Sequence, residues 1–327
     1  MRFTVPGAAA AALFTMVTLA PFASHAQQQK FPSKPIRMIV PFSAGSQTDI
    51  LARLIGQKMN ENWGQQVVVD NRPSAGGTIA AGIVATSSPD GHTLMVHSVG
   101  HAINASLYAR LPFNTLRDFS GVSQIASVPN VLVVAPALGV KSVKDLIALA
   151  KQKPGQINFG SAGIGSGTHI NGEQFKVVTG VNIVHVPYKG TPEALTDTMT
   201  SRIHFFFAPL VPALPFIREG RLVALAVSTS TRSPVLADVP TVAEAALPGF
   251  DYDQWYGMIA PANTPTPVLE QLSKEVARVL ELPDVRKTFQ TQGAVARPST
   301  PAQFDAFIRS EIDKLAKVIK AAGARAD

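Results

Sequence analysis

Two rhythms of apolar residues alternate along the chain. Ile36, Met38, Ile39 and Val40 form the short apolar run of a buried parallel strand. Pro41 ends it, Phe42-Ser43-Ala44-Gly45-Ser46 is a small-residue loop, and Ile50, Leu51, Leu54, Ile55 and Met59 then recur at helical spacing. Ser46, Thr48 or Asp49 can cap that helix. The same succession repeats through a strand at 66–70, an Ala-rich helix at 78–86 and a strand at 93–97 that ends beside Ser98. Strand, helix, strand, helix, strand with short links predicts a doubly wound α/β lobe.

A change of rhythm comes at 119–136, where Val128-Pro129-Asn130 separates two apolar runs and Val131–Ala135 restarts as a strand. A second alternating set follows, with helices over 143–153, 170–179, 191–201 and 211–219 and strands over 157–160, 182–186, 203–207 and 222–227. A short helix at 239–246 with Thr241 near its start precedes a strand-like stretch at 250–260. Helices at 267–282, 284–290 and 301–320, with a short strand at 293–297, close the chain and are expected to cover the first lobe. Crossings near 129 and 252 thus predict a discontinuous first lobe (27–128 and 252–327) around a continuous second one (129–251).

Each lobe feeds a small-residue loop into a helix. Phe42 to Asp49 is the first, and Ser161-Ala162-Gly163-Ile164-Gly165-Ser166-Gly167-Thr168-His169 is the second. A strand, a tight loop and a helix N-terminus converge free backbone N–H groups and the positive end of the helix dipole on one point. A single such loop is equally a plain βα turn. Two on facing lobes suggest a clamp for a short carboxylate, with binding drawing the lobes together. Ligands in such sheets sit beyond the carboxyl ends of the strands, which adds Ser98 and Tyr188 to the rim. Asp49 and Arg53, spaced i,i+4, read as a helix-surface pair in which Asp49 shapes the loop. Trp255 and Tyr256 either pack in the core or wall the cleft.

Composition narrows the classes. Residues 1–26 carry one charge, Arg2, then an apolar Ala-rich run and small residues at Ser24-His25-Ala26, the pattern of a cleaved export signal. The chain has no cysteine, so neither a lipid-modified N-terminal Cys nor a disulfide is expected. The formal charge of +7 is spread rather than clustered, which suits an anionic ligand and leaves no nucleic-acid footprint. No GxxxxGK[ST] or GxGxxG nucleotide loop occurs, no serine sits in GxSxG, and His97 and His101 lack the glutamate of HExxH. No cofactor, metal or catalytic residue is expected.

The stretches PIRMIVPFSAGSQTDILAR, VVVDNRPSAGG, SPDGHTL, SAGIGSGTHINGEQF, VHVPYKGTPEALTD, LAVSTSTRSP, DVPTVAEAALPGF and QWYGMIAPANTPTPV follow one another over nearly the whole mature length. In this order they resemble the extracytoplasmic solute receptors of tripartite tricarboxylate transporters, the Bug family. The resemblance implies a type II periplasmic binding-protein fold of two α/β lobes, a small carboxylate in the cleft, and delivery to membrane permease subunits by a monomeric periplasmic receptor. Carried over, the ligand-binding residues are Phe42, Ser43, Ala44, Gly45, Ser46, Thr48 and Asp49; Ser98; Ser161, Gly165, Thr168 and His169; and Tyr188, Ala208 and Pro209. Two departures matter: Gly45-Ser46 stands where many members have two glycines, and Ala208-Pro209-Leu210 is apolar where many have an acidic or amide residue. The second points away from an ammonium-bearing ligand, toward a mono- or dicarboxylate with an apolar or aromatic body. An exported hydrolase or isomerase acting on a small carboxylate is the rival reading. The effector lobe of a transcription regulator is disfavoured by the export signal.

Overall fold

The computed structural model describes residues 1–4, 31–73 and 75–326; the expected export signal, apart from its first four residues, lies outside them. The elements run β1 (Ile36–Val40), α1 (Gln47–Trp63), β2 (Val67–Asn71), α2 (Thr78–Ala85), β3 (Thr93–Ser98), α3 (Gly100–Leu107) and β4 (Phe119–Val134). Then come α4 (Val143–Gln152), β5 (Asn158–Ser161), α5 (Gly167–Thr179), β6 (Val184–Pro187), α6 (Thr191–Met199), β7 (Phe205–Pro209), α7 (Leu210–Arg218), β8 (Val223–Val227) and α8 (Val242–Ala245). The last group is β9 (Asp253–Pro261), α9 (Thr266–Glu281), α10 (Pro283–Gln292), β10 (Val295–Ala296) and α11 (Pro301–Ala322).

Two mixed sheets share one strand. In the first, β1 pairs in parallel with β2 and β3, and β3, β9 and β4 continue antiparallel. In the second, β5 pairs in parallel with β6 and β7, and the far half of β4 lies antiparallel between β7 and β8. The expected break at Val128-Pro129-Asn130 is absent, because β4 runs through it as one 16-residue strand. Pro129 is the last residue opposite β9, facing Asp253, and Asn130 is the first opposite β7, facing Pro209. Each proline's missing N–H therefore falls where one ladder hands over to the other, the place in a strand where it costs least.

The cores on the two sheets are filled by complementary aromatic sets. Phe159, Phe175, Phe205, Phe207 and Phe250 stack under the second sheet, while Trp255, Phe304 and Phe307 pack edge-on and face-on beneath the first. Trp255 is a core residue, its indole N–H donating to Glu311 at 3.1 Å. The C-terminal helices cover the first sheet as expected, but α11 also reaches α5. Pro32–Asp327 packs as one compact unit. Helix α3 had no signature: it begins at a glycine after Val99, without a capping side chain, and is too buried for amphipathic periodicity.

Candidate functional site

The turn before α1 is built by Asp49. Its buried carboxylate accepts from Gly45 N–H at 2.9 Å, Asn71 Nδ2 at 2.9 Å and Arg53 Nε at 3.0 Å. Burial alone would raise its pKa, but the Arg53 contact and the Gly45 and Asn71 bonds outweigh it and hold the group below the ordinary carboxylate range. Gly45 takes φ 81°, a left-handed turn that a Cβ would strain. Asn71 also donates to Phe42 O, so both ends of the loop hang on β2.

The second loop is braced differently. Ser166 caps α5 by accepting from His169 N–H at 3.2 Å, and Thr168 Oγ1 accepts from Ala162 N–H at 2.9 Å. Ser161 Oγ accepts from Gly163 N–H and shares a hydrogen bond with His185 Nε2, 2.6 Å away. His185 stacks on His169 at 4.1 Å between ring centres, and His169 Nδ1 accepts from Gly165 N–H at 3.4 Å. Burial drives the pKa of His169 down to about 4 and that of His185 to about 3; Lys176 nearby lowers both, and the His169 ring lowers His185 further. The pair is neutral at physiological pH.

Between the loops lies a narrow cavity of about 10 Å³ of free volume, far below the roughly 300–1,000 Å³ of drug-sized sites. Ser46, Gln47 and Thr48 bring the N-terminus of α1 to it; Ser166, Gly167 and Thr168 bring that of α5. Thr191 opens α6 against it, and Pro209 stands at the start of α7. Four helix N-termini thus meet one space whose lining holds no charged side chain. Phe42, Ala162 and Ser98 form its walls, with Gln254 and Tyr256 from β9. Asn130 Nδ2 donates to Gln254 Oε1 at 3.1 Å, and Gln254 Nε2 donates to the Tyr256 hydroxyl. Burial pushes the Tyr256 pKa up, so the hydroxyl keeps a hydrogen to donate.

Of the residues singled out by sequence, Phe42, Ser46, Thr48, Ser98, Thr168 and Pro209 line the cavity. Ser43, Ala44, Gly45 and Asp49 do not; they shape the loop or, for Ser43, tie it to α6 through Glu193 Oε2 at 2.9 Å and Lys189 O at 3.3 Å. Ser161, Gly165 and His169 sit behind the second loop as its scaffold. The Tyr188 hydroxyl donates to Asp197 Oδ2 at 2.8 Å, and Ala208 faces Val131 within the sheet, so neither lines the space. Gln47, Ala162 and Gly167 fall within the two loops singled out by sequence without being named as ligand residues, whereas Thr191 and Gln254 were passed over and Tyr256 was left between core and cleft. Strict alternation along β9 separates Gln254 and Tyr256 from Trp255, and that signal was available. Among the described residues no group of three or more metal-ligating side chains is placed to hold an ion.

Residues 51–324 match the profile of the Tripartite tricarboxylate transporter family receptor. The chain belongs to that receptor family. Protein BugT of Bordetella pertussis is 35% identical over 311 residues, covering 94% of this chain and 95% of that one. Among solved structures, R. palustris Rpa4515 with adipate superposes with a TM-score of 0.87 at 37% identity, covering 90% of this chain and 99% of the other. MatC from Rhodopseudomonas palustris with bound malate gives a TM-score of 0.85 at 33% identity, covering 88% and 100%. This receptor therefore has the two-lobed type II periplasmic binding-protein fold, and its α1 and α5 loops lie at the facing rims of the two sheets.

Proposed function

We propose that the protein is a periplasmic receptor that captures a small organic carboxylate between lobe 1 (27–128 and 252–327) and lobe 2 (129–251) and delivers it, as a monomer, to the permease subunits of a tripartite tricarboxylate-type transporter. The observation that carries this reading is the convergence of four helix N-termini on a cavity without a charged side chain. First-turn N–H groups and helix dipoles are the seat of an anion, and no carboxylate is present to hold an ammonium group. Relatives solved with adipate and malate support a dicarboxylate in particular. Export follows from the signal expected over residues 1–26. Binding without turnover is favoured over hydrolysis because Ser161, the loop serine with a histidine in hydrogen-bond reach, is wholly buried and already spanned by Gly163 and His185.

The test is thermal unfolding of protein refolded to strip carried-over ligand, against mono-, di- and tricarboxylates and aromatic acids. A single-site ligand at 100-fold its Kd stabilises by about 2.7 kcal/mol and raises Tm by a few degrees. A shift confined to one class of carboxylate, with the compound recovered unchanged, is expected. No shift with any acid defeats the reading, and consumption of the compound replaces the receptor with an enzyme.

A further inference from the structure

Several helices of this chain begin with a hydroxyl residue that caps its own first turn. Ser142 accepts from Asp145 N–H, Ser166 from His169, Thr241 from Glu244 and Thr300 from Gln303. Ser46 holds the same place before α1, with φ −69° and ψ 158° against −73° and 157° at Ser166. Its backbone is therefore set for the same bond, yet its side chain makes none. The Ser46 hydroxyl is instead turned aside, in a residue 2% exposed, without a partner among the described residues. Next to it Gln47 is also 2% exposed, and its Oε1 receives no donor. Both residues line the cavity. A forgone cap and two buried, unpaired polar atoms are each unfavourable, so their coincidence at the ligand seat calls for a ligand group that satisfies them.

The chemistry of that group follows from what each atom can do. A carboxylate is satisfied by the first-turn N–H groups, but it cannot serve Gln47 Oε1, which only accepts. A hydroxyl can serve both side chains: its hydrogen goes to Gln47 Oε1 and its oxygen takes the hydrogen of Ser46. We infer that Ser46 and Gln47 form a hydroxyl-recognising pair, and that the ligand is a small hydroxycarboxylate whose hydroxyl lies one or two carbons from the carboxylate held on α1. This rests on the receptor reading above and narrows its ligand class.

The experiment is calorimetric titration of the full mature chain with matched triads of four-carbon and six-carbon dicarboxylates, carrying a methylene, a hydroxyl or a ketone beside one carboxylate. The hydroxyl member is expected to bind about tenfold more tightly than the other two, the worth of one neutral hydrogen bond made in place of an unpaired acceptor. Gln47→Met, which keeps the length and removes the acceptor, is expected to bring the members of each triad within about twofold of one another. Ser46→Ala, which loses no cap, provides the same comparison should Gln47→Met fail to fold. Equal binding across the triad in the wild type overturns the hydroxyl assignment and leaves the carboxylate receptor standing. Tightest binding of the ketone overturns it too, since the amide would then be presenting its NH2 group. A preference that survives both substitutions removes Ser46 and Gln47 from the recognition. No binding of any member overturns this inference, while the receptor reading is decided by the wider panel of acids in the thermal unfolding test.

Discussion

Asp49 shows how one buried side chain can govern a ligand loop without touching the ligand. Its three acceptor contacts fix Gly45, Asn71 and the first turn of α1 at once. The Arg53 guanidinium is half exposed and adds little on its own; the backbone and amide bonds do the shaping. Asp49→Ala should therefore lower unfolding stability by about 2–3 kcal/mol, the cost of leaving buried donors of a charged acceptor unpaired. It should also weaken carboxylate binding, because the N–H groups of the turn lose their aim. Chemical denaturation paired with ligand titration checks both, and a variant with unaltered stability and affinity would show that the loop is shaped elsewhere. On the opposite loop His185 and His169 have the corresponding duty, but they perform it as neutral stacked rings, which makes that side sensitive to acid.

At the level of elements, the site is a meeting of helix starts delivered by strand ends. Strand β1 of the first sheet and β5, β6 and β7 of the second lead into α1, α5, α6 and α7, whose N-termini meet at the cavity. The dipoles act together where side chains carry no charge, so affinity should survive the loss of any one surface Lys or Arg. A smaller contact ties the first loop to the segment that opens α6. Ser43 joins the β1–α1 loop to the start of α6 through its backbone N–H and its hydroxyl, the latter to Glu193. Ser43→Ala removes the hydroxyl bond, about 1 kcal/mol, and should speed ligand dissociation roughly fivefold with little effect on association. Stopped-flow measurement of both rates decides it; a slowed association instead would place Ser43 in capture rather than retention.

Across the whole molecule the buried histidines set the acid limit of stability. His97, His101, His169 and His185 are all held below the ordinary value of 6.5, chiefly by burial, with His101 and His169 at about 4 and His185 at about 3. The unfolded chain therefore binds more protons than the native one once pH drops below about 6.5. Their contribution is complete above that pH and is lost progressively as pH falls toward about 4, at up to about 1.4 kcal/mol per pH unit for each histidine. Glu173 and Asp305, whose pKa burial raises, work in the opposite sense and soften the slope. Denaturant midpoints should be flat from pH 8 to 7 and decline between 6.5 and 4, and His185→Phe should reduce that decline by about one proton's worth. A midpoint that held steady to pH 4 would mean these rings are charged in the native protein.

The order of strands and helices, the two small-residue loops and the family were legible from residues alone, because periodicity, caps and glycine-rich turns are local properties of the backbone. The apolar runs on either side of Pro129 were legible too, but not that they form one strand, since a proline's cost depends on which neighbour its N–H would have met. Helix α3 escaped notice for a related reason: it is buried except at Ala105 and Ser106, which leaves too little of the polar face that marks a helix in sequence. The division of labour within the site was likewise invisible. Asp49, Ser161, His169 and Tyr188 carry polar atoms as suited to a ligand as those of Ser46, Thr168 or Gln254. Only the packing of β9, α6 and α7 against the two loops turned the first set toward protein partners and the second toward the cavity, and a side chain's partner is a fact about the space around it.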